Sequence, residues 1–169
     1  AKERGAEKVI AIDGIPERLA LAKQMGADEV INLNEITDSR ARINAVRDMT
    51  DGEGADVVAE LVGSAAVIDE GLRMLNWGGR YLEIGVFFTG TSFDCDPGRL
   101  TAQNQRIEAV GSYNALSLQL AVEFLSRNAD RLPLDEVVDD YPLEDINQAF
   151  ADQDAGLVKR ASLVMGLAD

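Results

Sequence analysis

The sequence predicts an α/β fold with a parallel, doubly wound sheet, and three observations carry that expectation. Residues 54–86 read as an apolar strand (55–62), a turn at Gly63-Ser64, a helix with Ile68, Leu72 and Leu75 on one side, the pair Gly78-Gly79, and a second apolar strand (81–86). Neither strand alternates cleanly between apolar and polar residues, which is the pattern of parallel strands covered on both faces by helices. Strand and helix patterns then alternate along roughly the first hundred residues, as layered α/β domains do. A strand, helix, strand unit of this size is a right-handed crossover, so function is sought where the strands end.

In chain order, residues 1–4 resemble the end of a helix stopped by Gly5, and residues 9–12 form a short apolar strand ending at Asp13-Gly14. Pro16 suits the first turn of the following helix, and Glu17 lies beside its positive end. Leu19, Ala22 and Met25 make its buried side, and Gly26 its C-cap. Residues 30–33 are the next strand. A second helix over 39–49 carries Ile43, Val46 and Met49 inward, with Thr37, Asp38 and Ser39 competing for the N-cap. The run Asp51-Gly52-Glu53-Gly54 turns the chain into the central strand.

Beyond Val86 the pattern predicts a short edge strand over 91–95 ended by Pro97-Gly98, weak helix over 100–104, and another strand over 107–111. Ser117 is placed to cap a helix with Leu118, Ala121, Val122 and Leu125 on one face. Residues 132–134 and 137–141 lead to a further helix over 143–152, with Ile146, Ala149 and Phe150 inward. Gly156 breaks it, and 162–166 form a final strand.

Composition narrows the function classes. The chain of 169 residues is 46% hydrophobic and 27% charged, the make-up of a globular protein able to bury a core. Its formal net charge of −14, from 30 acidic and 16 basic residues, opposes unspecific nucleic-acid binding, which works by neutralising phosphates. No apolar run reaches the roughly 18 residues of a membrane span, and no basic, apolar leader is visible, so neither a membrane nor a secreted role is expected. Cys95 is the lone cysteine and fits a reducing, cytoplasmic compartment. Histidine is absent, which removes the usual proton carrier and the commonest metal ligand. Neither a metal site nor a catalytic residue is assigned to this chain, and any catalytic zinc would be held by residues outside it.

A few residues carry binding chemistry. A carboxylate at a strand end, as Asp13 is, can accept both ribose hydroxyls of a dinucleotide lacking a 2′-phosphate; it can equally start a turn. Arg18 lies one turn into the next helix, where it can cover the ribose or face solvent near Glu17 or Glu3. The glycines form no phosphate loop: Gly52 and Gly54, like Gly78-Gly79, precede strands rather than a helix. Gly63, Gly85 and Gly111 each follow an apolar strand, where a missing side chain lets a flat ligand meet the backbone, or simply makes a turn. Glu60, within a strand, reads as a paired structural carboxylate in preference to a buried base. No nucleophile, base and orienter come together.

The segments VIAID (9–13), LAKQMGADEVIN (21–32), GADVVAELVG (54–63), GGRYLEIGV (78–86) and IEAVGSY (107–113) closely resemble the zinc-dependent medium-chain alcohol dehydrogenase family, in its order and spacing. The resemblance implies a Rossmann-type, doubly wound parallel sheet that is truncated at its N-terminus and lacks the first strand. Residues 1–115 would be an incomplete NAD-binding domain. Residues 116–169 would supply C-terminal helices and a strand that pack on it and on a catalytic domain. It further implies that Asp13 binds the adenosine ribose with help from Arg18, and that Leu61 and Val62 line the adenine or ribose cleft ahead of Gly63. Ile84, Gly85 and Val86 would lie against the nicotinamide, Ala109 and Gly111 would offer main-chain groups to its carboxamide, and Arg160 would approach the phosphates.

The expected role is hydride transfer between NAD and an alcohol or carbonyl substrate, as the NAD-binding portion of an alcohol or polyol dehydrogenase. The family's catalytic domain, with its zinc-binding cysteines and histidines, its first strand and its glycine fingerprint have no counterpart in these residues. The chain is therefore expected to be a piece of a longer polypeptide or to pack with another chain, and to be inactive alone. In the family's order, 3-2-1-4-5-6, the lacking strand lies between the strands ending at Asp13 and at Val62. The resemblance also implies a homodimer joined near Thr91-Ser92-Phe93. A zinc-free, quinone-reductase-like oxidoreductase and a non-enzymatic nucleotide-binding or oligomerisation module are the alternatives.

Overall fold

The computed structural model describes residues 1–86 and 89–166, and these divide into two compact units, Ala1–Glu35 with Leu116–Asp169, and Ile36–Ala115. Every strand pairing in both is parallel, and helices alternate with strands in sequence. The α/β class with parallel sheets is therefore the architecture of the protein.

In the first unit β1 (Ile10–Asp13) pairs with β2 (Glu29–Asn32), in register from Ile10↔Glu29 to Asp13↔Asn32. Helix α1 (Pro16–Gln24) joins them, opening on Pro16 and closing at Met25, after which Gly26 takes the left-handed φ of 102°. Its buried residues are Leu19 and Leu21, while Ala22 and Met25 are half-buried; two adjacent surfaces are covered in place of the single stripe expected. Lys2 pairs with Asp28 at 2.7 Å, tying the chain start to the α1–β2 turn. Helix α5 (Ala115–Asn128) begins before Ser117, which lies in the first turn and is not its cap. Its apolar stripe of Leu118, Val122 and Leu125 is exposed, contrary to the buried face its spacing suggests.

The same unit ends with β6 (Asp139–Pro142), α6 (Ile146–Asp154) and β7 (Ala161–Val164), with β6 and β7 parallel from Asp139↔Ala161. Ala149 is buried and Ile146 half-buried, but Phe150 points outward at 69% exposure. Tyr141 donates to Asp152 at 2.8 Å, which fixes β6 against α6.

The second unit is the crossover around which the sequence is built. Helix α2 (Ser39–Asp48) is capped by Asp38, whose carboxylate accepts from the Ala41 amide at 2.8 Å. A three-stranded sheet follows, in the order β3 (Ala55–Glu60), β4 (Leu75–Glu83), β5 (Arg106–Ala109). Helix α3 (Ile68–Met74) crosses from β3 to β4, and α4 (Pro97–Ala102) precedes β5. The core is Ile68 and Leu72 of α3 against Leu75 and Tyr81 of β4, with Val58, Ala65 and Leu100 packed on it. Gly71 is required there, because a Cβ would stand 2.6 Å from the Tyr81 ring. Arg42 of α2 makes two 2.6 Å bonds to the carboxylate of Glu70 on α3.

Several boundaries differ from expectation. Leu75 opens β4 and does not belong to the helix, and the pair Gly78-Gly79 lies inside β4 as an irregularity where the β3 register shifts from Ala55↔Leu75 to Val57↔Arg80. Residues 91–95 form no strand, so Thr91-Ser92-Phe93 offers no preformed sheet edge. Pro97 starts α4, with the Asp96 side chain accepting from the Arg99 amide, where the sequence suggested a strand ending. Among the described residues the strands form three sheets, β1-β2, β3-β4-β5 and β6-β7. No helix among the described residues is long and apolar enough to cross a membrane.

Candidate functional site

Strands β3 and β4 end together, at the register pair Glu60↔Glu83, and the chain turns after each. Glu60 is 4% exposed. One of its carboxylate oxygens accepts from the amides of Val62 at 2.6 Å and Gly63 at 2.7 Å; the other accepts from the Gly85 amide at 3.2 Å. Glu83 receives the Val86 amide at 2.9 Å on Oε1, whereas its Oε2 is buried with no donor among the described residues. The two residues are register partners in the parallel ladder, so their side chains project from the same face of the sheet at its end. Burial pushes the Glu60 carboxyl up, but the bond from Glu83 and the three amides outweigh it and hold it below the usual glutamate range. Burial, then the adjoining Glu60, push Glu83 above that range against the Val86 amide.

These bonds shape the strand ends. Because β3 stops at Glu60 and β4 at Glu83, Leu61, Val62 and Gly63 and the trio Ile84, Gly85 and Val86 all lie in the turns beyond the ladders. Gly63 has φ 84°, and a Cβ there would meet the Gly85 carbonyl at 2.9 Å. Leu61 and Val62 are 71% and 72% exposed, an apolar shelf beside two glycines. Ala109 ends β5 beside Glu83, and the next amide, Val110, donates to the Glu83 carbonyl at 2.9 Å. Gly111 faces open space. The second unit thus brings seven of the sequence-selected residues to the carboxyl ends of three neighbouring parallel strands, with Gly111 two residues past the end of β5. This is where α/β sheets bind ligands.

The other three lie in the first unit. Asp13 ends β1, and its Oδ1 accepts the Ile15 amide at 2.9 Å, so one oxygen sets the turn into α1. Arg18 is half-buried and extends toward the Val158 carbonyl at 3.4 Å, in place of a solvent-facing pairing with Glu17 or Glu3. Arg160 is exposed just before β7, and its carbonyl accepts the Asp139 amide. Arg18 and Arg160 are thereby linked to one segment, residues 158–160.

Glu83 was not singled out from the sequence. A glutamate closing an apolar strand has no signature by itself; the available signal was that each of the two apolar strands carries a glutamate shortly before its strand-end glycine, Glu60 before Gly63 and Glu83 before Gly85. Glu60 is the paired carboxylate the sequence suggested, although its partner is another acid. For zinc the donor set does not fit: the sequence holds no histidine and a single, exposed cysteine, and no group of three potential ligands stands together among the described residues. For a flat dinucleotide the fit is better, since the exposed shelf and side-chain-free backbone leave room against the strand ends.

The chain is similar to the erythritol/L-threitol dehydrogenase of Mycolicibacterium smegmatis, 30% identical over 152 residues, covering 89% of this chain and 40% of that protein. It is 29% identical over 171 residues to the 5-exo-hydroxycamphor dehydrogenase of Pseudomonas putida, covering 100% of this chain and 45% of that one. The crystal structure of an alcohol dehydrogenase zinc-binding domain protein from Burkholderia ambifaria superposes with a TM-score of 0.86 at 31% identity, over 99% of this chain and 44% of that chain. The chain therefore spans less than half the length of these relatives. The family profile described as zinc-binding dehydrogenase matches residues 1–127, and the chain belongs to that family, the zinc-dependent medium-chain alcohol and polyol dehydrogenases.

Proposed function

We propose that this chain is the NAD-binding part of a zinc-dependent alcohol or polyol dehydrogenase. The observation that carries this reading is the exposed shelf of Leu61 and Val62 beside Gly63 and Gly85 at parallel strand ends. When bound, NAD supplies hydride acceptance and its reverse, donation to a carbonyl. The protein's part is to bind and orient. Asp13 uses its remaining carboxylate capacity for the ribose hydroxyls, and Arg18 and Arg160 supply positive charge toward the pyrophosphate. Leu61 and Val62 cover the adenosine, Ile84 to Val86 support the nicotinamide, and the backbone at Ala109 and Gly111 meets its carboxamide.

The likeness to an erythritol/L-threitol dehydrogenase supports small alcohols or polyols as the substrate class. Zinc belongs to a catalytic domain outside these residues, because the donors it needs are not in this sequence. Residues 116–169, with the uncovered apolar face of α5, would pack on the dinucleotide-binding part and on that domain. The parent enzyme is taken as a cytoplasmic homo-oligomer. Titration of the purified chain with NAD and NADP, followed by calorimetry, tests the reading: saturable NAD binding with weaker NADP binding and no alcohol oxidation is expected, and lack of binding to either nucleotide defeats it.

A further inference from the structure

We propose that Glu60 and Glu83 hold one proton between them and act as a positioning pair for the turns after β3 and β4, with a grip that loosens when that proton is lost. Its significance for the cofactor rests on the NAD reading above, since the turns it holds are the ones assigned to the dinucleotide. The pair itself rests on independent geometry.

Three of the four carboxylate oxygens have backbone donors: Val62 and Gly63 on one, Gly85 on the second, Val86 on the third. The fourth, Glu83 Oε2, is buried and has none among the described residues. An ionised oxygen in that position is costly, because a buried acceptor without a donor loses its hydration with no return. A proton on Glu83 removes the cost, since the O–H then donates to the neighbouring Glu60 carboxylate. Two carboxyls sharing one proton also avoid placing like charges side by side.

Among the described residues of this unit no cation pairs with either carboxylate. The titratable group acting on each glutamate is the other, and the pair in turn acts on Tyr81 of β4, whose phenol is pushed up by burial and then by the charges of Glu83 and Glu60. On β5 the neighbour of Glu83 is Ala109, whereas Glu108 neighbours Leu82, and so belongs to the opposite face. On α3 the charged groups are engaged elsewhere, Glu70 by Arg42 and Asp69 by Arg73 and Arg99. The proton shared by the pair is therefore the charge compensation at this site, and its loss leaves two carboxylates facing one another under the turns.

Amide hydrogen exchange on the full chain across pH, corrected for intrinsic rates, reads this grip directly. Protection at Val62, Gly63, Gly85 and Val86 is expected to fall by up to about tenfold per pH unit between the ordinary glutamate range and the raised value of Glu83, one proton being released on opening. Glu83→Gln supplies an N–H donor at every pH, so its protection should stay flat over that interval. Equal slopes in the two proteins overturn the proposal. If Glu83→Gln fails to fold, carbon-detected NMR titration of the unaltered chain decides: a raised midpoint for one carboxyl of the pair supports sharing, and two ordinary midpoints refute it. NAD titrated in parallel separates the two ideas. A pH-dependent grip without NAD binding removes the cofactor reading and leaves the pair standing; NAD binding with equal slopes does the reverse.

Discussion

A Cβ built on Gly85 would stand 2.4 Å from the Gly63 amide nitrogen and 2.5 Å from Glu60 Oε2. The turns after β3 and β4 are in backbone contact, and no side chain can be inserted between them without moving one. Gly85→Ala should therefore cost about 1–3 kcal/mol of stability, the range for an overpacked buried site. Gly111→Ala, where a Cβ meets nothing within 4 Å, is the control and should stay within about 0.5 kcal/mol. Paired denaturant titrations measure both, and equal costs would argue against the close approach.

Arg42 and Glu70 join α2 to α3 through two 2.6 Å bonds, and the same guanidinium reaches the carbonyls of Ile36 and Thr37 at 2.8 and 2.7 Å. Their side chains are only 12% and 16% exposed. Removing one partner leaves a largely desolvated charge, so Arg42→Ala should destabilise the protein by about 2–3 kcal/mol, somewhat below the figure for fully buried pairs. Arg42→Lys keeps the charge but loses the fork, and should recover only part of that loss in thermal unfolding.

Local signals in the sequence located the crossover well. The apolar strands, Pro16 in a first helical turn, an N-cap among Thr37, Asp38 and Ser39, and the small residues after the strands are short-range signals, and the parallel sheet follows from them. What could not be read were features set by register or by the covering of a face. Glu83 looks unremarkable until the ladder places it beside Glu60. The stripe Leu118, Val122 and Leu125 has the period of a buried face, yet period says nothing about whether a neighbour is present to bury it. Residues 91–95 mix β-formers with Asp94, and their backbone joins no ladder among the described residues. At the candidate site, the strand-end positions and the turn-starting alternative for Asp13 were legible, but the bond that draws Arg18 to the Val158 carbonyl was not.

Global stability should show a pH signature from the two glutamates. Glu60 has a lowered folded value, so its contribution is present above the ordinary glutamate range and is lost as pH falls through that folded value. Glu83 has a raised folded value; its contribution is full below the ordinary range and is lost as pH rises through the raised one. Together they place the pair's maximum near the ordinary glutamate range, with a decline on either side. Urea titrations at stepped pH should show that Glu83→Gln loses the alkaline decline relative to the unaltered protein while keeping the acid one. Parallel curves for the two proteins over the whole range would leave Glu83 without its assigned proton.

Asp13 controls the choice of cofactor in the proposed function. Its Oδ1 is occupied by the Ile15 amide at 2.9 Å, which orients the carboxylate at the end of β1 and leaves acceptor capacity for two ribose hydroxyls. A charged acceptor bonded to a ligand contributes about 1.5–3 kcal/mol, so Asp13→Ala should weaken NAD binding by roughly 10- to 100-fold. The same change removes the repulsion of a 2′-phosphate, so NADP affinity should hold or rise. Asp13→Asn separates the two effects, because it can still accept the Ile15 amide while losing the charge. It should give intermediate NAD affinity and a relaxed preference. Calorimetric titration of the three proteins with both nucleotides checks this, and an unchanged NAD-to-NADP ratio would remove Asp13 from the site.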